Sequence, residues 1–456
     1  MRSTLAATVS LALAPAWACS EGGGATRPPN VVLVTIDTLR ADHLGCYGYA
    51  RPTSPRLDAL AAGADRYTRC QATSAWTVPS HASLFTGRFP SQHGAHNIAT
   101  PRGEEQRFRA LASGTRTLAE ALAAEGYRTA GFAANTAYLA PHLGFGRGFE
   151  TYQTRRVGGE ALNEPVLHWL DEHDSRPFFL FVNYMDAHRP YAADPLPGSA
   201  LPPASREHPG AMLDRLYEAV LGGDGPVPQE LAEAIVLQYD TGIAHADRAV
   251  GQLLDRLREL GLDESTLVVV TSDHGEHFGE HRLVEHSKDV YQEVLHVPLI
   301  LKRPGQREGR VDGRLISLAD VPALIRESMP AELSSRLARD FPGPPGGREP
   351  IAEQHYAQTR DMRSSWGARF DRVREAIFAG RYKLIRSSDG DHELYDLAAD
   401  PGEQANLFAE RPELAERLLR ALERALAAPP EATGAPAAPA ALGEADRAEL
   451  RALGYL

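Results

Sequence analysis

The sequence predicts an α/β fold: a large, mostly parallel sheet flanked by helices, with a small antiparallel sheet and a helix appended at the C-terminus. Three observations carry this expectation. Continuous β-branched and aromatic runs, NVVLVTID from residue 30, PFFLFVNYM from 177 and TLVVVTSD from 266, lack the alternation of a half-exposed strand. They read as strands buried on both faces. Helical patterns separate them, which is the signature of a parallel sheet. Beyond about residue 346 the pattern changes to short alternating segments.

In chain order, NVVLVTID forms the first strand and ends at Asp37. TLAEALAAEGY is a helix closed by Gly126, and RTAGFAAN is the next strand. PFFLFVNYM leads to Asp186 and His188. Residues 231–260 carry helical periodicity and stop at Gly261. TLVVVTSDHGE repeats the opening design, a buried strand delivering an acid, here Asp273, and VPLILKRPG adds one more strand. Residues 192–230 and 330–350 are rich in Pro and Gly and read as surface excursions. The stretch REAIFAGRYKLIRSSDGDHELYDL holds two or three antiparallel strands with a turn at Asp389-Gly390. The helix ERPELAERLLRALERAL, a Pro/Ala linker and a short last helix complete the chain.

The 456 residues carry a formal charge of −12, with no basic stripe, so no nucleic-acid partner is expected. After the first residues no apolar run is long enough to span a bilayer. MRSTLAATVSLALAPAWAC, residues 1–19, has a basic start, a short apolar stretch and small residues before Cys19, the layout of a secretory signal. Cys19 and the polar tether after it, residues 20–28, resemble a bacterial lipoprotein junction. The expectation is an exported protein, held at the cell envelope by a lipid anchor or else secreted. Cys46 and Cys70 are the other cysteines; an exported pair can bridge, and the sequence leaves that open.

TSAWTVPSHASLFTGR, residues 73–88, reads as a loop entering a helix, with Thr77 near its positive end. Ligands of open α/β sheets bind beyond the carboxyl ends of the strands. Asp37, Asp273 and His274 stand at such ends and make a plausible divalent-metal set. With Thr77 they form a metal-activated hydroxyl nucleophile.

Six segments in order, IDTLRADHLGCYGY, WTVPSHASLFTGRFPSQHG, HRPY, VVVTSDHGEHFGEH, LHVPLI and ELYDLAADPGEQANL, resemble the sulfatase family of the alkaline phosphatase superfamily. The resemblance runs from about residue 29 to the C-terminus. It implies a metal-dependent hydrolase of sulfate or phosphate esters, with a catalytic α/β domain over 29–345 and a small-sheet-and-helix subdomain over 346–456. Two departures stand out. The sulfatase nucleophile motif is Cys/Ser-x-Pro-x-Arg, its first residue oxidised to formylglycine, whereas this chain has Thr77-Val78-Pro79-Ser80-His81. The family also has adjacent acids where this chain has Asp37-Thr38. The remaining set resembles phosphoethanolamine and glycerophosphate transferases of the superfamily, which use an unmodified threonine.

A formylglycine hydrate expels sulfate by collapsing to an aldehyde, and threonine lacks that exit. A phosphothreonine can be attacked at phosphorus by water or an alcohol. Thr77 therefore favours phosphoryl over sulfuryl chemistry. The implied metal is a single divalent ion on Asp37, Thr77, Asp273 and His274. The imidazole favours manganese or zinc, with calcium a third candidate. His188 matches a position that contacts the ester oxygens, and His286 and Lys288 are rivals for a second such contact. His81, in place of the family arginine, is a further substrate-side candidate that could donate to the nucleophile loop. His277 and His281 are expected at the surface or behind the ligands. The partner implied is an anionic ester, a sulfated or phosphorylated glycan, lipid or small molecule. Two other readings compete: a phosphotransferase to a glycan or lipid alcohol, and a non-catalytic anion- or carbohydrate-binding protein.

Overall fold

The computed structural model describes residues 27–452 except 102–103, 192–193, 195, 197, 199, 203–204, 206, 224, 428–438 and 441. The signal at 1–19, Cys19 and most of the tether lie outside the described residues. The strands in chain order are β1 (Asn30–Ile36), β2 (Asp65–Gln71), β3 (Arg128–Ala133), β4 (Thr151–Thr154), β5 (Phe178–Tyr184) and β6 (Thr266–Thr271). A short hairpin, β7 (His277–Phe278) and β8 (Val284–Glu285), precedes β9 (Leu299–Lys302) and β10 (Arg310–Ser317). The last four are β11 (Ile351–His355), β12 (Val373–Ala379), β13 (Tyr382–Ser387) and β14 (Glu393–Asp396).

Eight strands form one sheet in the order β10-β2-β9-β6-β1-β5-β3-β4, parallel except for β9, which runs against both β2 and β6. The central run shows why its sequence is continuously apolar. Val31 and Leu33 enter the core on one face of the sheet, and Val32, Val34 and Ile36 enter the core on the other. Each such side chain contributes on the order of 1.5–3 kcal/mol when fully buried. β2 and β10 escape the sequence reading because they are polar. β10 is an edge strand with half of its residues exposed, so little apolar burial marks it.

The appended sheet is antiparallel, β11-β12-β13-β14, with Gly390 at φ 91° in the turn after β13. It has one strand more than expected, because β11 pairs with β12 from a distant segment. The helix Pro412–Leu426 lays Leu418 and Leu422 on Ile377 and Leu384. The two Pro/Gly-rich excursions are not wholly irregular, since they contain the helices Pro209–Leu221 and Ala331–Leu337. Cys46 and Cys70 are both free thiols. Among the described residues no helix is long and apolar enough to cross a membrane.

Candidate active site

Three adjacent parallel strands, β6-β1-β5, deliver the chemistry to one edge of the sheet. β1 ends at Asp37, whose N–H extends the ladder to Tyr184 O at 2.8 Å. Ser272 follows β6 and bonds back to Ile36 O, turning the chain so that Asp273 and His274 stand beside Asp37. β5 runs on to His188. The fourth contribution is the helix Thr77–Thr86, buried along its whole length. Trp76 precedes it in extended conformation, and Gly87, at φ 68°, closes it. Thr77 is thus the first helical residue, as the Pro-bearing sequence suggested.

Asp37, Thr77, Asp273 and His274 are each fully buried. One ligand atom from each of Asp37, Asp273 and His274 lies within 4.8 Å of the others. His274 Nε2 is 3.4 Å from Asp273 Oδ2 and 3.5 Å from Thr77 Oγ1. Two ligands on one ion with bonds near 2.0–2.2 Å stand about 3.3–3.6 Å apart. His274 Nδ1 donates to Gly275 O at 3.0 Å, which leaves the Nε2 lone pair for a ligand. Asp273 Oδ1 accepts from Thr38 and His274 N–H groups, and Asp37 Oδ2 accepts from Asn135 Nδ2. The other two oxygens, Asp37 Oδ1 and Asp273 Oδ2, are buried without a hydrogen-bond donor. Burial, and then the Asp273 charge, push the Asp37 carboxyl up to about 8, and burial lifts Asp273 to about 7. Groups in that state call for a cation, and the donor set of carboxylates, imidazole and hydroxyl fits a divalent metal.

A hydrogen-bonded chain supports this group from behind. Asn135 N donates to Asn183 Oδ1, and Asn183 Nδ2 donates to Thr35 Oγ1. Thr35 Oγ1 lies 3.0 Å from His81 Nε2, and His81 Nδ1 is 3.1 Å from Thr77 O. His81 is therefore lodged under the helix that opens with Thr77, between Phe85 and Phe181, with both nitrogens engaged. Burial pushes its pKa down to about 3. Asn135, Asn183 and Thr35 escape the sequence reading, although Asn183 is an amide near the end of an otherwise apolar strand and could have been noticed on that ground.

The rivals His286 and Lys288 take different places. His286 packs its ring 4.5 Å from that of His274 and 5.3 Å from that of His188, so three imidazoles converge beside Thr77. Its Nδ1 shares a 2.8 Å hydrogen bond with Glu276 Oε1, and Tyr191 OH donates to the other Glu276 oxygen. Lys288 Nζ instead donates to Tyr217 OH and His286 O and pairs with Asp361 at 3.2 Å. His188 Nδ1 donates to Arg189 O at 2.7 Å. Burial, reinforced by neighbouring imidazoles, holds His188 and His286 well below the usual histidine range. His277 and His281 correct the surface expectation. His277 is fully buried and the His281 side chain is 9 % exposed, because the β7–β8 hairpin packs against the helices Pro209–Leu221 and Gln229–Glu259 instead of facing solvent.

The profile of the sulfatase family matches residues 29–329. The ulvan-active sulfatase of Formosa agariphila is 28 % identical over 83 % of this chain and 77 % of its own length. Arylsulfatase A of Homo sapiens is 26 % identical over 89 % of each chain. Among solved structures, the phosphonate monoester hydrolase of Agrobacterium radiobacter superposes with a TM-score of 0.61 at 22 % identity, covering 87 % of this chain and 96 % of that one. A protein solved with its substrate D-glucosamine-2-N,6-O-disulfate gives 0.65 at 18 % identity, covering 89 % and 100 %. Both likenesses are of fold, an alkaline-phosphatase-like sheet with a small C-terminal one. Sulfatases are metal-dependent, in keeping with the uncompensated acids at the strand tips. Matched over two thirds of its length, the chain belongs to the sulfatase family and is an ester hydrolase of that family.

Proposed function

We propose that the protein hydrolyses phosphate esters with Thr77 as an unmodified nucleophile at one divalent metal held by Asp37, Thr77, Asp273 and His274. The observation that carries this reading is the pair of buried, donorless oxygens, Asp37 Oδ1 and Asp273 Oδ2, beside the Thr77 hydroxyl. A bound manganese or zinc ion would supply positive charge that lowers the hydroxyl pKa and neutralises the ester oxygens. The helix N-terminus at Thr77 favours the same anion. His81 holds the Thr77 carbonyl and so aims the hydroxyl, a positioning role that its engaged nitrogens support over substrate contact. His188 and His286 hold the ester oxygens and the leaving group. The Glu276 bond keeps the His286 ring oriented, while the Asp361 pairing of Lys288 argues for a structural role there.

Thr77 attacks phosphorus, the Thr77–O–P bond forms and the leaving alcohol departs with a proton. Water then attacks the phosphothreonine, restoring the hydroxyl and releasing phosphate. Sulfate esters are the second reading, favoured by the relatives named for ulvan and aryl sulfates. The leaving group is glycan or small-molecule in character, a reading supported by the relative named for ulvan and the structure solved with a glucosamine disulfate substrate. We place the protein in the cell envelope through a lipid on Cys19, with domains at 29–345 and 346–456. Mass spectrometry of protein quenched during turnover tests the central point. A phosphate-bearing adduct on Thr77 is expected, and robust aryl sulfate hydrolysis with no phosphoester turnover would reverse the choice of substrate.

A further inference from the structure

We propose that a second divalent transition ion, zinc or manganese, binds between His281, Glu293 and Glu403 and clasps the catalytic domain to the C-terminal sheet. His281 lies in the β7–β8 hairpin, Glu293 in the short helix before β9, and Glu403 follows β14, so the three come from both parts of the chain. One ligand atom from each lies within 4.8 Å of the others. His281 Nε2 stands 3.6 Å from Glu293 Oε2. That distance is too long for a hydrogen bond. It matches the separation of about 3.3–3.6 Å between two ligands on one ion, and neither atom has a hydrogen-bond partner.

The ligands are held in place independently of any ion. His281 stacks on Tyr291 with ring centroids 3.8 Å apart and planes 7° apart, which fixes the direction of Nε2. Glu403 accepts from Gln292 N at 2.7 Å on one oxygen and pairs with the buried Lys383 ammonium at 2.6 Å on the other. Such outer contacts are what orient metal ligands. A second observation points to the same place. His277 is fully buried, neither of its ring nitrogens has a hydrogen-bond partner, and its ring centroid is 6.5 Å from that of His281. Glu293 is the carboxylate whose charge acts on it most strongly. A polar ring left unsatisfied at that depth costs free energy unless something joins the cluster. Glu293 also lines a cavity of about 620 Å³ with Arg40, His296 and Gly402, which gives an ion a way in.

Charge sets the ligand class. Two carboxylates and one ammonium leave a single negative charge when His281 is neutral, and a divalent ion converts this to a single positive one. Imidazole with two carboxylates suits zinc or manganese better than calcium. Lys383 competes for Glu403, so this ion binds more weakly than one at Thr77.

The test is metal counting on the full chain, stripped and reloaded with Zn²⁺ or Mn²⁺ alone, dialysed and measured by mass spectrometry of the metal. Wild type should hold about two equivalents, Asp273→Ala about one and His281→Ala about one, and the double variant none. Glu403→Gln, which keeps the shape of the side chain and an acceptor for Gln292, should also lose one equivalent. Near-ultraviolet circular dichroism checks that each variant is folded. A folded His281→Ala or Glu403→Gln protein with the wild-type metal content overturns the proposal, as does a wild type with only one equivalent. Full metal content in Asp273→Ala would instead sink the Thr77 site and leave this one standing.

Discussion

Two buried acids in this molecule, Asp37 and Asp289, are treated in opposite ways. Asp289, 2 % exposed, sits 3.0 Å from Arg372 and 3.3 Å from Arg374, and accepts from Val290 N–H. Burial raises its pKa, but the two guanidinium groups outweigh burial and hold it below the ordinary value. Asp37 is buried as deeply and has no basic side chain bonded to it, only the Asn135 amide on one oxygen. Its carboxyl is pushed up to about 8 by burial and by Asp273. The protein supplies its own cation where a charge is structural. At Asp37 it leaves the acid without such a partner. Compensation, more than burial or residue type, separates the two roles.

The largest effect should follow from emptying the open cluster. Thr77→Ala and Asp37→Asn should each lower turnover by roughly 10³-fold or more, the first with metal retained and the second with metal lost. Turnover near wild type in either would break the assignment. His286→Gln should come next, slowing turnover about 100-fold with metal content unchanged. Lys288→Met should act mainly on stability, and the reverse pattern in steady-state kinetics would make Lys288 the substrate contact.

Stability sharpens the comparison with one and the same substitution at both acids. Asp289→Asn takes one of two carboxylate partners from each of Arg372 and Arg374 and should cost on the order of 3 kcal/mol, read from denaturant unfolding. In chelated protein Asp37→Asn replaces a carboxyl that burial keeps protonated up to about 8, and it should be neutral or stabilising. Equal losses at both sites would show that the open cluster is compensated by some other group.

The smallest effect is in pH. Without metal, Asp37 and Asp273 keep protons up to about 8 and about 7, against an ordinary 3.8. Between about pH 4 and 8 the native state holds protons that the unfolded chain has already lost, so stability falls as pH rises and levels off above about 8. The melting temperature of chelated protein should therefore drop across that interval. Bound metal keeps both acids ionised throughout and should flatten the slope. A drop of the same size with metal bound would mean that other groups control it.

Much of this was legible in the sequence, for reasons that are local. Runs such as NVVLVTID bury both faces, so hydrophobicity without alternation marks a central parallel strand, and its carboxyl end marks the site. Asp37, Asp273 and His274 follow directly, and Pro79 with Gly87 bounds the helix that carries Thr77. The strand β2, the edge strand β10 and the added strand β11 were hidden because pairing with distant segments, not local periodicity, makes them strands.

Partners far apart in the chain are what only the tertiary structure decided. Nothing near Lys288 foretells Asp361, and nothing near His81 foretells Thr35. Nor does His286 announce Glu276 as its anchor, though ten residues separate them. A side chain's chemistry depends on its neighbours' charges and on exclusion of water, and both are set when remote segments pack. The sequence alone therefore determined which groups could act and the strand ends that carry them. Folding determined which acids met a guanidinium and which were left without one.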